Sequence, residues 1–104
     1  MAVWIGWRND TIEVALIARA TGLAWYSGDP HTADRYLDKV FDLIELLEEN
    51  PEMGRTCARA PGFRYFLIGA PAPGSPDTLV SSFDELKMEL TGEGVFSSLP
   101  PKFR

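Results

Sequence analysis

The stretch between Asp29 and Pro51 constrains this chain more than any other part of it. Asp29 suits a helix N-cap, because its carboxylate can accept from first-turn N–H groups. Pro30 suits the first helical position, where a missing amide proton costs nothing. Over residues 31–50, Ala33, Tyr36, Leu37, Val40, Ile44 and Leu47 recur at helical spacing. Phe41, Leu43 and Leu46 widen that stripe, so the helix should touch two neighbours. Asn50-Pro51 ends it, since the proline ring disfavours helical backbone in the residue before it. A helix with so broad an apolar stripe must be covered by other elements, and the rest of the chain has to supply them.

Residues 11–26 supply another helix, the first of the two in the chain. Asp10 followed by Glu13 makes a capping pattern, and Ile12, Leu16, Ala20 and Leu23 share a helical face. The alternation Ile12, Val14, Leu16, Ala18 also permits a hairpin turning at Thr21-Gly22, but the helix is the preferred reading. Joined through Ser27-Gly28-Asp29, the two helices would form an antiparallel hairpin. Ahead of them, Val3, Ile5 and Trp7 alternate with Trp4 and Gly6, as in a short strand.

After a loop over residues 52–62, residues 63–68 are aromatic and β-branched and read as a buried strand. Three prolines in residues 70–76 exclude helix and central strand and leave a loop or semi-rigid spacer. Residues 78–92 admit two readings. Thr78 to Phe83 and Lys87 to Leu90 are possible strands; alternatively Ser82 and Glu85 cap a short helix ending at Gly92. Residues 97–104 should be extended or frayed. The expectation is one α+β domain over residues 1–96: an N-terminal strand and an antiparallel helical hairpin packed on a small antiparallel sheet.

The chain has 104 residues, room for one domain that buries about two-thirds of its unfolded surface. Its net charge of −5 disfavours direct nucleic-acid binding, which depends on Lys and Arg neutralising phosphates. A single cysteine excludes an intrachain disulfide and fits a reducing compartment. The longest apolar run, residues 12–26, is broken by Glu13 and Arg19 and is too short to span a bilayer. A cytoplasmic location, with no membrane partner, is the expectation.

The residues argue against a self-contained catalytic centre. His31 is the one histidine and falls in the first turn of a helix, where a surface role is expected. Cys57 lies between Arg55 and Arg59, whose charges would lower a thiol pKa, but an ordinary thiol is the plainer reading. No ligand spacing suggests a metal, and no glycine motif suggests a nucleotide; no cofactor is expected. Two charged groupings stand out instead. Asp34, Asp38, Asp42, Glu45, Glu48 and Glu49 line the polar side of the second helix, as a solvated face or a docking face for a basic partner. Arg55, Arg59 and Arg64 fall within ten positions, among Phe63, Tyr65 and Phe66, and suit a phosphate, a carboxylate or an acidic protein patch.

The run Asp29-Pro30-His31-Thr32-Ala33-Asp34-Arg35-Tyr36-Leu37-Asp38, continued through Glu49-Asn50-Pro51-Glu52-Met53-Gly54-Arg55 and Gly62-Phe63-Arg64, resembles the ParE/RelE toxins. That family carries such a second helix, an "ENPxxGR" junction and a "GxR" strand entry, and the likeness covers about residues 28–69. It implies a strand, a helical hairpin and an antiparallel meander. Past residue 69 the chain departs from the family pattern. The proline run replaces a tight hairpin, and Ser81-Ser82 stands where a tyrosine is usual. RelE-type members cleave ribosome-bound mRNA with basic and tyrosine side chains of the sheet, and this chain offers no match for them. ParE-type members act as gyrase inhibitors held inactive by an antitoxin, through binding surfaces and without a catalytic centre. The resemblance therefore implies a ParE-like toxin with an antitoxin partner and DNA gyrase as target. Arg55, Arg59 and Arg64 are the candidate recognition residues for such a toxin, and Tyr36 and Phe41 are expected at the antitoxin groove. The alternative is an acidic inhibitor of phage or mobile-element type that offers the Asp34 to Glu49 side to a basic partner.

Overall fold

The computed structural model describes residues 1–68 and 77–103. The chain runs β1 (Val3–Trp7), α1 (Asp10–Ser27), α2 (His31–Glu49), β2 (Arg55–Cys57), β3 (Ala60–Ile68), β4 (Asp77–Asp84), β5 (Glu89–Phe96) and a short 3-10 turn, Pro101–Phe103. The five strands form one sheet in the order β1-β5-β4-β3-β2. All neighbours are antiparallel except β1, which lies parallel to β5. The architecture is α+β, as the sequence implies. Residues 78–92 are strands, with a turn between β4 and β5, and the expected loop over residues 52–62 contains β2. The proline run at residues 70–76 lies outside the described residues.

Both helices form, and their ends show why. The N-cap of α1 is Asn9, one residue before the expected Asp10, and its side chain accepts from the Ile12 amide at 3.2 Å. Gly28 closes α1 in the left-handed region at φ 73°. Asp29 still organises the start of α2, its carboxylate accepting from the His31 amide at 2.9 Å. The hairpin packs on one side of the sheet. Leu16, Ala20 and Leu23 of α1 and Tyr36, Val40, Ile44 and Leu47 of α2 join Phe66, Ile68, Leu79 and Leu90 in the main core.

β1 corrects a reading made from alternation. Val3 and Ile5 are exposed, whereas Trp4 and Trp7 pack against the core, their rings edge to face at 5.3 Å. A register shift between Trp4 and Gly6, with Gly6 at φ 118°, brings two residues three apart onto one side. Gly92 on the neighbouring strand leaves room for both indoles, because a Cβ there would strike both rings.

The opposite face of the sheet is covered too. Cys57, Val80 and Phe103 form a second buried cluster with Ala60, Phe63, Tyr65, Phe96 and Leu99 around it. Residues 97–103 are therefore not frayed. Phe103 is buried against Phe63 at 5.4 Å and Phe96 at 6.0 Å between ring centres. Burying an aromatic ring stabilises by about 2 kcal/mol, which favours the docked tail.

Candidate functional site

The junction after α2 places the arginines. Asn50 donates from both its backbone and its side-chain amide to the Leu46 carbonyl, at 3.0 and 3.2 Å, and accepts from the Met53 amide at 2.9 Å. Gly54 then turns the chain at φ 99° into β2, the edge strand. Arg55 pairs with Tyr65 and Thr56 with Arg64. Residues opposite one another in a ladder point to the same side, and the next pair points to the other. Arg55 thus shares the tail-covered face with Tyr65, while Arg64 shares the helical side with Phe66. Arg59 sits at the tip of the β2–β3 turn. The three arginines belong to one edge hairpin but do not form one patch. Arg64 is further tied down by a 3.4 Å bond from its Nη1 to the Gly54 carbonyl.

Tyr36 is not at a groove. It is fully buried, and its hydroxyl donates to Asp77 Oδ2 at 2.5 Å. The same carboxylate receives Arg19 through Nε and Nη2, each at 3.0 Å. Burial, and then the Asp77 carboxylate, push the Tyr36 phenol far up, so it remains a donor. The pair with Asp77 raises Arg19 in spite of its partial burial. This network escaped the sequence reading. Its faint signals were a tyrosine at an apolar position of α2 and an arginine midway along an apolar helix. Phe41, by contrast, is half exposed on α2.

The acidic side of α2 divides in two. Asp34, Asp38, Asp42, Glu45 and Glu49 are exposed. Glu48 differs, being only partly exposed: its carboxylate accepts from the Trp4 amide at 3.1 Å and its carbonyl from the Ala2 amide at 2.8 Å. It anchors β1 to the end of α2.

On the tail side of the sheet, Arg8 grips Glu93 through Nη2 at 2.5 Å and Nε at 3.2 Å, and Ser82 Oγ donates to the same carboxylate at 2.7 Å. Burial pushes Glu93 up, but the bonds from Arg8 and Ser82 and the charges of Arg8 and Lys102 outweigh it, and the net shift is downward. A carboxylate lowered in the folded state stabilises above its unfolded pKa and loses that stabilisation as pH falls through the folded value. Stability should therefore drop as the pH is taken below the ordinary value of 4.5. In Glu93→Gln this part of the acid loss should vanish. The variant should be weaker than the parent at pH 7 and approach it at about pH 3, as read by urea titrations across that range.

His31 is exposed at the start of α2, as expected. Cys57 is buried and burial raises its thiol pKa, the reverse of activation by Arg55 and Arg59. Iodoacetamide should leave Cys57 unmodified in the native protein and modify it in urea. Fast native alkylation, followed by mass spectrometry, would count against this burial.

The outward side of α1 is bare and apolar. Val14, Ile17, Trp25 and Tyr26 are all exposed, Trp25 at 90 %. Single exposed apolar residues are ordinary, but a run of them along one helix is a feature of interaction surfaces. Among the described residues no helix is long and apolar enough to cross a membrane.

The family model for the ParE toxin of the type II toxin–antitoxin system parDE matches residues 17–78. The chain belongs to the ParE toxin family. No curated protein matches it. The matched segment runs from within α1 to the start of β4 and includes Arg19, Tyr36 and Asp77 together with the arginine hairpin. The ParE match thus takes in both the buried network that locks the helices to the sheet and the edge carrying the exposed cations. Most of β4, all of β5 and the aromatic tail lie beyond it.

Proposed function

We propose that this ParE-family toxin acts by binding a protein target, DNA gyrase, and is held inactive by an antitoxin that covers the outward side of the helical hairpin. The observation that supports this reading is the exposed apolar run Val14, Ile17, Trp25 and Tyr26 on α1, with the half-exposed Phe41 on α2. An amphipathic partner segment laid there would bury surface that α1 leaves in water. Arg55, Arg59 and Arg64 are the proposed target contacts, with the two faces of the β2–β3 hairpin engaging separately.

Induced expression in a bacterial host should arrest growth with filamentation, and the purified protein should inhibit gyrase supercoiling. Co-expression of the cognate antitoxin should restore growth. Replacing Arg55 and Arg64 by Ala should abolish the arrest while leaving the melting temperature unchanged. Normal growth at verified expression, with supercoiling unaffected, would refute the toxin reading. Full toxicity of the double variant would refute only the residue assignment.

A second reading, an acidic inhibitor of a basic protein, is favoured by the exposed run Asp34, Asp38, Asp42, Glu45 and Glu49. Salt separates the two. Binding through that run should weaken steeply with ionic strength, whereas binding through the apolar side of α1 should not.

A further inference from the structure

At the C-terminal end of α2 the molecule has an open cleft of about 730 Å³, lined by Asn50, Pro51, Glu52, Met53, Phe83, Glu85 and Met88. Its floor is apolar: Met53, Phe83 and Met88 carry no charge and present soft or aromatic surface. Its rim is acidic. Glu52 and Glu85 are both exposed, and among the described residues neither has an ion pair or a side-chain hydrogen bond. Both carboxylates also line a smaller adjoining cavity with Arg64, whose guanidinium is turned to the Gly54 carbonyl.

The backbone adds to this polarity. The cleft opens at the negative end of the α2 dipole, and the last turn of α2 has no basic residue to offset it. Its walls are also fixed before any ligand arrives. Asn50 caps one wall. On the other, Asp84 Oδ1 accepts from the amides of Leu86 at 3.0 Å and Lys87 at 3.2 Å, and the Met88 carbonyl accepts from the Val3 amide at 2.9 Å. Met88 itself holds a left-handed backbone at φ 55°, which side-chain-bearing residues seldom adopt.

We infer that this cleft is a binding site for an arginine side chain presented by a partner protein between apolar neighbours. An aliphatic stem and flat guanidinium match the floor, since arginine stacks on rings and packs its methylenes on apolar surface. The charged end would lie between Glu52 and Glu85. A neutral apolar segment would leave both carboxylates beside it without compensation, and an anion would meet two like charges and the helix end. The site is separate from the outward side of α1 and does not depend on the toxin reading.

The test uses the full chain with ¹³C-labelled methionine methyls, two of which, Met53 and Met88, line the cleft. The probes are the capped peptide acetyl-Leu-Arg-Leu-amide and its citrulline counterpart, equal in shape but uncharged. The arginine peptide should shift the Met53 and Met88 methyl signals saturably, and the citrulline peptide should bind about fivefold more weakly. In Glu52→Gln/Glu85→Gln the arginine peptide should fall to the citrulline level; both side chains are exposed, so the fold is expected to survive, and an unchanged melting curve checks it. Equal affinities of the two peptides for the parent chain would overturn the inference. So would an undiminished affinity in the double variant, or shifts that leave the Met53 and Met88 methyls untouched.

Discussion

Replacing Arg19 by Met should cost about 3 kcal/mol and lower the melting temperature by roughly 10–20 °C. The reason lies in what is left behind. The Asp77 side chain is 3 % exposed and accepts from two Arg19 nitrogens and from Tyr36. Without the guanidinium, a buried carboxylate keeps one neutral donor, and removing one partner of a buried pair is far costlier than the net worth of the pair. Arg19 is itself 45 % exposed, which places the loss at the lower end of the range for such pairs. A second substitution separates this mechanism from lost packing. Asp77→Asn in the Arg19→Met background removes the stranded charge and still offers Tyr36 an acceptor, so the double variant should be more stable than the single one. A double variant that melts below Arg19→Met, or a single variant within about 3 °C of the parent, would contradict the account.

The Asp77 network also marks the boundary of what the sequence disclosed. Local signals were legible: the α2 stripe, the Asn50-Pro51 stop and the Ser27-Gly28-Asp29 link between the helices all operate within a few residues, and the structure uses each of them. The long-range ones were not. Asp77 follows the proline run and carries no local pattern, yet it meets residues 58 and 41 positions away. Tyr36 fitted the apolar periodicity and was placed at a groove, because spacing tells which face a residue shares and not how deeply that face is covered. β1 failed for a related reason. Alternation put Val3, Ile5 and Trp7 together, but the shift at Gly6 exchanged the faces, and only the partner strand, with Gly92 beneath the indoles, fixes such a shift. The tail reads as extended or frayed because chain termini usually are, whereas Phe103 finds its partners, Phe63 and Phe96, on β3 and β5.

The candidate site shows the same division. Closeness in sequence groups Arg55, Arg59 and Arg64, but the β2–β3 hairpin that carries them lies partly where the sequence reads as a loop, over residues 52–62. Closeness could not report that the ladder sends Arg55 and Arg64 to opposite sides, because that follows from the pairing Arg55 with Tyr65 and Thr56 with Arg64. Likewise, six acidic residues at helical spacing looked equivalent until Glu48 was found holding β1. A surface that binds a partner is assembled from several elements, so its residues can be nominated from sequence but grouped only from structure.

Replacing Gly54 by Ala should be about as damaging, near 3 kcal/mol, although it adds one methyl group. Two causes act together. Gly54 has φ 99°, where any Cβ is strained. That Cβ would also run into the ring of Phe66, a core residue that is 7 % exposed. The glycine of the Asn50-Pro51-Glu52-Met53-Gly54-Arg55 junction thus does more than turn the chain: it lets the ring of Phe66 sit directly against the backbone that leads into β2. Displacing either would move Arg55 and break the Arg64 bond to the Gly54 carbonyl. The variant should therefore lose toxicity as well as stability. Gly62→Ala, where a Cβ meets nothing within 4 Å, serves as the control and should be near neutral. The clash and the strain are separable. Phe66→Leu alone should destabilise by leaving a cavity, but combined with Gly54→Ala the two losses should add to less than their sum, because the smaller side chain yields to the new methyl group. Strict additivity in thermal melts would leave the backbone angle as the sole cause, and a Gly54→Ala chain as stable as the parent would remove both.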